Sequence, residues 1–148
     1  MQIKITTDAT RAQNMLKSLT MGLKDPSRPL EQSIKWIYND TKTNFGREGA
    51  LYGGWRPLAE RTVNERIKLG YGGRHPILER GGDLKRGFNW HMPSNTVATI
   101  DNKVEYFPIH QLGKGRVPPR VMLNVRPEGV NAIVNYFVNW IINLVRGY

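Results

Sequence analysis

The residues best suited to proton transfer near neutral pH, or to holding a metal, are His75, His91 and His110. They stand far apart in the chain, and none falls in an HExxH, an HxH or a related ligand spacing. The glycine pairs at 53–54, 72–73 and 81–82 lack the lysine and hydroxyl residue that a phosphate-cradling GxxxxGK[ST] loop needs. No GxGxxG dinucleotide fingerprint and no GxSxG nucleophile elbow occurs. The chain has no cysteine, which removes thiolate nucleophiles, disulfides and cysteine-built zinc sites together. Two carboxylates acting as separate acid and base need burial or a like-charged neighbour to split their roles. Glu60 and Glu65 read instead as exposed partners of Arg61, Arg66 and Lys68 on one helix. The expectation is a protein that is not an enzyme and uses no cofactor and no metal.

Anion recognition is the chemistry that the composition does favour. Lys and Arg number 22 against 12 Asp and Glu, a formal charge of +10 with a pI near 10.2. The excess concentrates between Arg56 and Arg126, and Lys114 to Arg126 holds four basic residues and no acidic one. A surface of this kind attracts nucleic acid, an acidic membrane or an acidic protein. Trp55, Tyr71, Trp90 and Tyr106 lie near basic residues, and interleaved aromatics and cations can stack bases and neutralise phosphates. A basic nucleic-acid-binding module is therefore one functional reading. Against it, no recognisable binding motif frames these aromatics, and Trp90 alternates as a core residue does.

The elements that would position these residues follow from periodicity. At 148 residues, 39% hydrophobic and 23% charged, the chain suits one globular domain, 1–148. No apolar run reaches membrane-spanning length and the start lacks a signal-peptide pattern, so a soluble domain made in the cytoplasm is expected. Ile3 and Ile5 alternate as a strand over Gln2–Thr7, and Asp8 suits a helix N-cap. Ala12, Met15, Leu16, Leu19 and Leu23 recur at helical spacing, with Gly22 as the stop. A second helix carries Leu30, Ile34, Ile37, Thr41 and Phe45 and ends at Gly46. A glycine-rich loop with Trp55 leads to a helix over Leu58–Leu69 that presents Ala59, Val63 and Ile67 on one face. Gly81-Gly82-Asp83 introduces a single helical turn through Leu84 and Arg86. Phe88, Trp90 and Met92 then alternate as a strand, which Pro93-Ser94-Asn95 turns into a hairpin with Thr96–Asp101. Tyr106–Gly113 fits neither period. Val121, Leu123 and Val125 alternate as a last strand. The expected fold class is α+β: a small, mostly antiparallel sheet of about four strands covered by amphipathic helices.

The C-terminal segment differs from the rest. From Val130 to Val145 nearly every residue is apolar except Asn131, Asn135, Asn139 and Asn143, which form one narrow amide stripe on a helix. A helix this apolar must be buried on most faces. At 1.5 Å per residue it spans about 24 Å, short of the roughly 30 Å hydrocarbon core of a bilayer. One small domain has limited capacity to surround a helix at its chain end. Neighbouring subunits are therefore expected to cover part of it, with Asn135, Asn139 and Trp140 as candidate contacts in a homo-oligomer.

Three central segments, taken in order, resemble a known family. Gly54-Trp55-Arg56-Pro57-Leu58 precedes Thr62 in a basic helix; then come Pro76-Ile77-Leu78, Gly82-Asp83-Leu84, Tyr106 and His110-Gln111-Leu112-Gly113. After a basic loop containing Arg116, the series closes with Pro118-Pro119-Arg120-Val121-Met122-Leu123. This order resembles the virion-morphogenesis, or tail-completion, proteins of contractile-tailed bacteriophages, over roughly residues 31 to 125. Val121 and Met122 follow Arg120 where relatives commonly carry a proline and an aromatic residue. The resemblance implies an α+β subunit of the virion, made in the host bacterial cytoplasm. It would assemble as a ring, hexameric in the family, at the head-proximal end of the tail or in the neck. It would meet tail tube or sheath and neck or connector proteins, with transient contact to genomic DNA and none to a membrane. Structural roles for the matching residues coincide with this. Trp55 and Leu58 would fix the central loop, Leu78 and Leu84 would bracket the Gly82 turn, and Gly113 would take a positive φ after His110 and Gln111. Arg116 and Arg120 would be free to pair with an acidic partner or a neighbouring subunit.

Overall fold

In the computed structural model of the chain, residues 10–146 are described. The strand expected over Gln2–Thr7 and the Asp8 cap lie outside them. Helix α1 (Thr10–Leu23) runs into a tight turn in which Asp25 Oδ1 accepts the Ser27 N–H at 3.1 Å. Helix α2 (Ser27–Gly46) begins there. Pro29 sits in its first turn, where the N–H that proline lacks would have had no helical partner. The buried positions of α2 include Ile34 and Phe45 but also Ser33, Thr41 and Asn44. Ser33 and Thr41 satisfy their hydroxyls on the carbonyls four residues back, at 2.7 and 2.9 Å, so their burial leaves no polar atom stranded.

A 3₁₀ turn (Ala50–Tyr52) and an extended stretch lead to α3 (Glu60–Lys68). This helix starts two residues later than the sequence predicts, because Ala59 is extended, at ψ 146°. Its inward face is also different: Val63 and Arg66 are buried, whereas Ile67 is 58% exposed. The Arg66 guanidinium turns inward because the Pro76 carbonyl accepts its Nη1–H at 3.0 Å. Glu60 and Glu65 pair outside the helix, with Arg74 and Arg80, rather than with the helix's own cations.

After the single turn α4 (Asp83–Arg86), strands β1 (Phe88–Ser94) and β2 (Val97–Asn102) form an antiparallel hairpin. Phe88 stands opposite Asn102 and Trp90 opposite Ile100. The ladder is irregular between His91 and Ser94, the interval that holds Pro93, which has no N–H to give. The fold is α+β, but the sheet has two strands, not about four. The Tyr106–Gly113 stretch resolves as a short helix, α5 (Phe107–Leu112). Val121–Val125 forms no strand. The last element is α6 (Pro127–Arg146).

Phe45, Trp55, Ile77, Leu84, Phe88 and Met122 make the core. Its aromatic rings meet edge to face: Phe45 lies 5.1 Å from Trp55 and 5.9 Å from Phe88, which in turn meets Phe107 at 5.3 Å. Such pairs add about 0.5–1.5 kcal/mol each beyond the area they bury. One glycine is required for this packing. Gly49 has φ +83°, and a Cβ there would stand 2.2 Å from the Trp55 indole.

Helix α6 lies across α2, held at its start by the Arg126–Asp40 ion pair at 2.6 Å. Gly129 permits the approach, since a Cβ would stand 2.4 Å from the Trp36 ring. Further along, α1 touches α6, with Gly22 against Leu144. Gly22 is thus a point of close approach as well, one residue before the helix ends at Leu23.

Candidate functional site

The segment after α5 is where most of the sequence-selected residues meet. Gly113 leaves the helix at φ +77° and ψ 143°, and a Cβ there would lie 2.9 Å from the Pro119 ring. Only glycine fits this turn comfortably. The chain then makes a small loop, closed by paired hydrogen bonds between Lys114 and Val117, with Lys114, Gly115 and Arg116 exposed at its tip. It returns beside α5, where the Arg120 N–H donates to the His110 carbonyl at 2.6 Å.

From Arg120 to Val125, side chains do what a neighbouring strand would otherwise do. The Val121 carbonyl accepts from Asn44 Nδ2 at 3.1 Å and from the Trp55 indole N–H at 2.8 Å. Gln111 clamps the next two residues. Its Oε1 accepts the N–H groups of Met122 (2.8 Å) and Leu123 (3.2 Å), and its Nε2 donates to the Leu123 carbonyl at 2.8 Å. The Tyr52 hydroxyl lies 2.8 Å from the Asn124 carbonyl and equally close to Asp40 Oδ2. Burial, then the Asp40 carboxylate, push that phenol well above its ordinary pKa. Asn124 Oδ1 accepts the Val125 N–H at 2.8 Å. This is why the alternating pattern of Val121, Leu123 and Val125 yields no strand: side chains already take up much of the backbone's hydrogen bonding there.

Arg120 itself is 5% exposed, yet among the described residues no carboxylate reaches it. Its Nε donates to the Arg56 carbonyl at 3.0 Å and its Nη2 to the Pro57 carbonyl at 3.3 Å. Burial, then the charge of Arg56, lower its pKa. His110 is half-buried, its ring edge-on to Tyr106 at 6.0 Å. Burial and then the Arg120 charge hold its imidazole below the usual value, and its Nδ1 is enclosed without a hydrogen-bond partner. A cavity of about 470 Å³ opens here, bordered by Arg56, Thr62, His110, Arg116 and Arg120.

The sequence-selected residues therefore divide. Trp55, His110, Gln111, Gly113, Arg116 and Arg120 come together around this segment. Leu58 packs at the edge of the core. Leu78, at φ 60°, and Gly82, at φ +78°, shape the two bends before the buried Leu84. On α6, Asn135 and Asn139 are exposed, while Trp140 is half-buried beside Phe137 and near Arg28 and Gln32. The α6 residues take no part in the cluster. Sequence reasoning missed Asn44, Tyr52 and the Asp40–Arg126 pair, and no local spacing signals partners 70 to 90 positions apart. It also missed Glu48, whose carboxylate accepts the Ile77 N–H at 2.9 Å and meets His75 at 2.7 Å.

Among the described residues no three His, Cys, Asp or Glu side chains are grouped to hold a metal ion, and no helix is long and apolar enough to cross a membrane. No family model matches the chain, and neither a curated protein nor a solved structure matches it.

Proposed function

We propose that this chain is a structural subunit of a tailed-bacteriophage virion. It assembles as a homo-oligomeric ring at the head-proximal end of the tail or in the neck, completing the tail and allowing head and tail to join. The observation that carries the assembly half of this reading is the outer face of α6. Val130, Val134, Val138, Ile141 and Val145 fall on one side of the helix, and each is about two-fifths to one-half exposed. They point away from the α2 side, where Gly129 is buried and Tyr136 and Trp140 are half-buried. Nearby α1 adds exposed Leu16, Met21 and Leu23. Fully burying an aliphatic side chain of this size is worth roughly 1.5–3 kcal/mol, and these are about half covered already, so each would gain roughly half of that on association.

A second copy of the same chain is the occupant that this face fits. The row is aliphatic along its length and is flanked by the uncharged amides of Asn131, Asn135 and Asn139, so like-charged copies meet there without opposing charges. Obligate interfaces bury about 2,000 Å² or more, which calls on α1 as well as α6. The phage assignment rests on the ordered central motifs, from Gly54-Trp55 to Arg120 and Leu123, that resemble the tail-completion proteins. In this reading the work is mechanical: subunits bury apolar surface against each other, and the ring presents a docking face to tail tube or sheath and to connector proteins.

Negative-stain electron microscopy of the purified chain tests the proposal. Closed annular particles of one diameter are expected. Particles of single-chain size at every concentration contradict it.

A further inference from the structure

A buried guanidinium is costly unless an opposite charge meets it, because it stays ionised at any physiological pH. The chain shows both outcomes. Arg126 closes on the buried Asp40 carboxylate at 2.6 Å. Arg120, more deeply buried, receives only the carbonyl dipoles of Arg56 and Pro57, and among the described residues no hydrogen bond occupies its Nη1. The cavity beside it has Arg56, His110 and Arg116 on its walls and no carboxylate. A second hollow of about 350 Å³ shares Arg56 and Arg116 with the first and adds Lys114, again with no acid. His110 Nδ1 is a further enclosed polar atom without a partner at the same place.

Among the described residues no acid meets Arg120. Among the described residues Glu31, Asp40, Glu60, Glu65, Glu79, Asp83 and Glu128 pair with Lys or Arg, Glu48 and Asp101 face His75 and His91, and Glu105 is exposed and in no ion pair. Asp25 is engaged with Ser27. A second copy of this +10 chain offers few unpaired carboxylates, and a polyanion of another kind matches the cationic cluster better. We propose that the cavity between His110 and Arg120 is a phosphate-binding site that receives the backbone of a nucleic-acid strand. One phosphodiester offers paired oxygens to the planar Arg120 fork, which is the geometry that guanidinium groups favour. The exposed Thr62 hydroxyl is a further donor at the rim. Arg56, Lys114 and Arg116, exposed and in no ion pair among the described residues, lie where the adjoining phosphates of the same strand would pass. The contacts are all to phosphate, so the site binds without reading base sequence. This holds whether or not the chain forms a ring.

The test is fluorescence anisotropy of a short labelled DNA duplex with the full chain, freed of nucleic acid, across salt concentrations. The rim variant Arg56→Gln/Arg116→Gln is compared with a charge-matched control, Lys24→Gln/Arg28→Gln, in the α1–α2 turn. The rim variant is expected to bind roughly tenfold more weakly, with a log–log salt slope shallower by about two, while the control stays within about twofold of wild type. Arg120→Lys keeps the charge but loses the fork, so it should weaken binding with little change in slope. Inorganic phosphate should compete only weakly, and polyglutamate should bind far less tightly than the duplex at equal salt. An unchanged rim variant or equal loss in the control overturns the proposal. So does polyglutamate binding as tight as DNA, which points to an acidic protein, or phosphate binding that the duplex cannot displace. Light scattering on the same samples reads the oligomer separately.

Discussion

The core beside Gln111 and the outer face of α6 are both rich in apolar residues, yet they solve opposite problems. Around Gln111 the chain satisfies itself: Phe45, Trp55, Phe88 and Met122 are buried together, and side chains meet the backbone groups of an irregular segment one by one. On α6 the aliphatic row from Val130 to Val145 faces outward, about half exposed among the described residues. The first region needs no partner to be stable. In the proposed ring, a neighbouring copy would cover the second.

Substitutions should separate the two. The largest loss is expected inside the closed region. Phe45→Ala removes a fully buried ring that touches two others, and should cost about 3–5 kcal/mol in urea unfolding. A variant that lost under 1 kcal/mol would mean that the cluster is not the core. Next comes Gln111→Leu, which keeps the volume but strands the Met122 and Leu123 backbone groups. A loss of roughly 2–3 kcal/mol is expected, with amide exchange at both residues accelerated. Slow exchange persisting there would show that the clamp does not hold the segment.

A smaller effect comes from pH. His110 has a folded pKa below its ordinary value of 6.5, so the unfolded chain takes up a proton more readily. Its contribution to stability is therefore full above pH 6.5 and declines as pH falls below it, by at most about 1.4 kcal/mol per pH unit. The urea midpoint should drop between neutral and mildly acid pH, and His110→Gln should remove that part of the drop. A His110→Gln profile parallel to wild type contradicts the assignment. The smallest effect on fold stability is expected on α6: Val134→Asp and Val138→Asp, at exposed positions, should stay within about 0.5 kcal/mol of wild type in the monomer.

Much of the fold is legible in local pattern, because α2, α6 and the Phe88–Asn102 hairpin are amphipathic at periods that periodicity detects. The positive φ of Gly113 is legible too, from a glycine closing a helix before a loop. What escapes is decided by distant partners. Val121–Val125 reads as a strand because alternation alone cannot report that Asn44, Tyr52, Trp55 and Gln111 occupy its polar groups. Ile67 reads as buried because nothing nearby says that Arg66 will turn inward to the Pro76 carbonyl. The candidate site was half visible: Arg116 and Arg120 stand out as basic residues, but that Arg120 is buried without an acid is a fact of three dimensions. Trp140 reads from sequence as an interface residue, yet it leans toward the α2 side, so Val134 and Val138 are the cleaner probes of the outer face.

The most direct test is the solution mass by light scattering, at low and high salt, of nucleic-acid-free wild type and of Val134→Asp/Val138→Asp. The account predicts a salt-resistant wild-type mass several times the 17.0 kDa chain, and a folded monomer for the variant. A wild-type chain that stays monomeric at all concentrations, or a variant that keeps the oligomer, would contradict it.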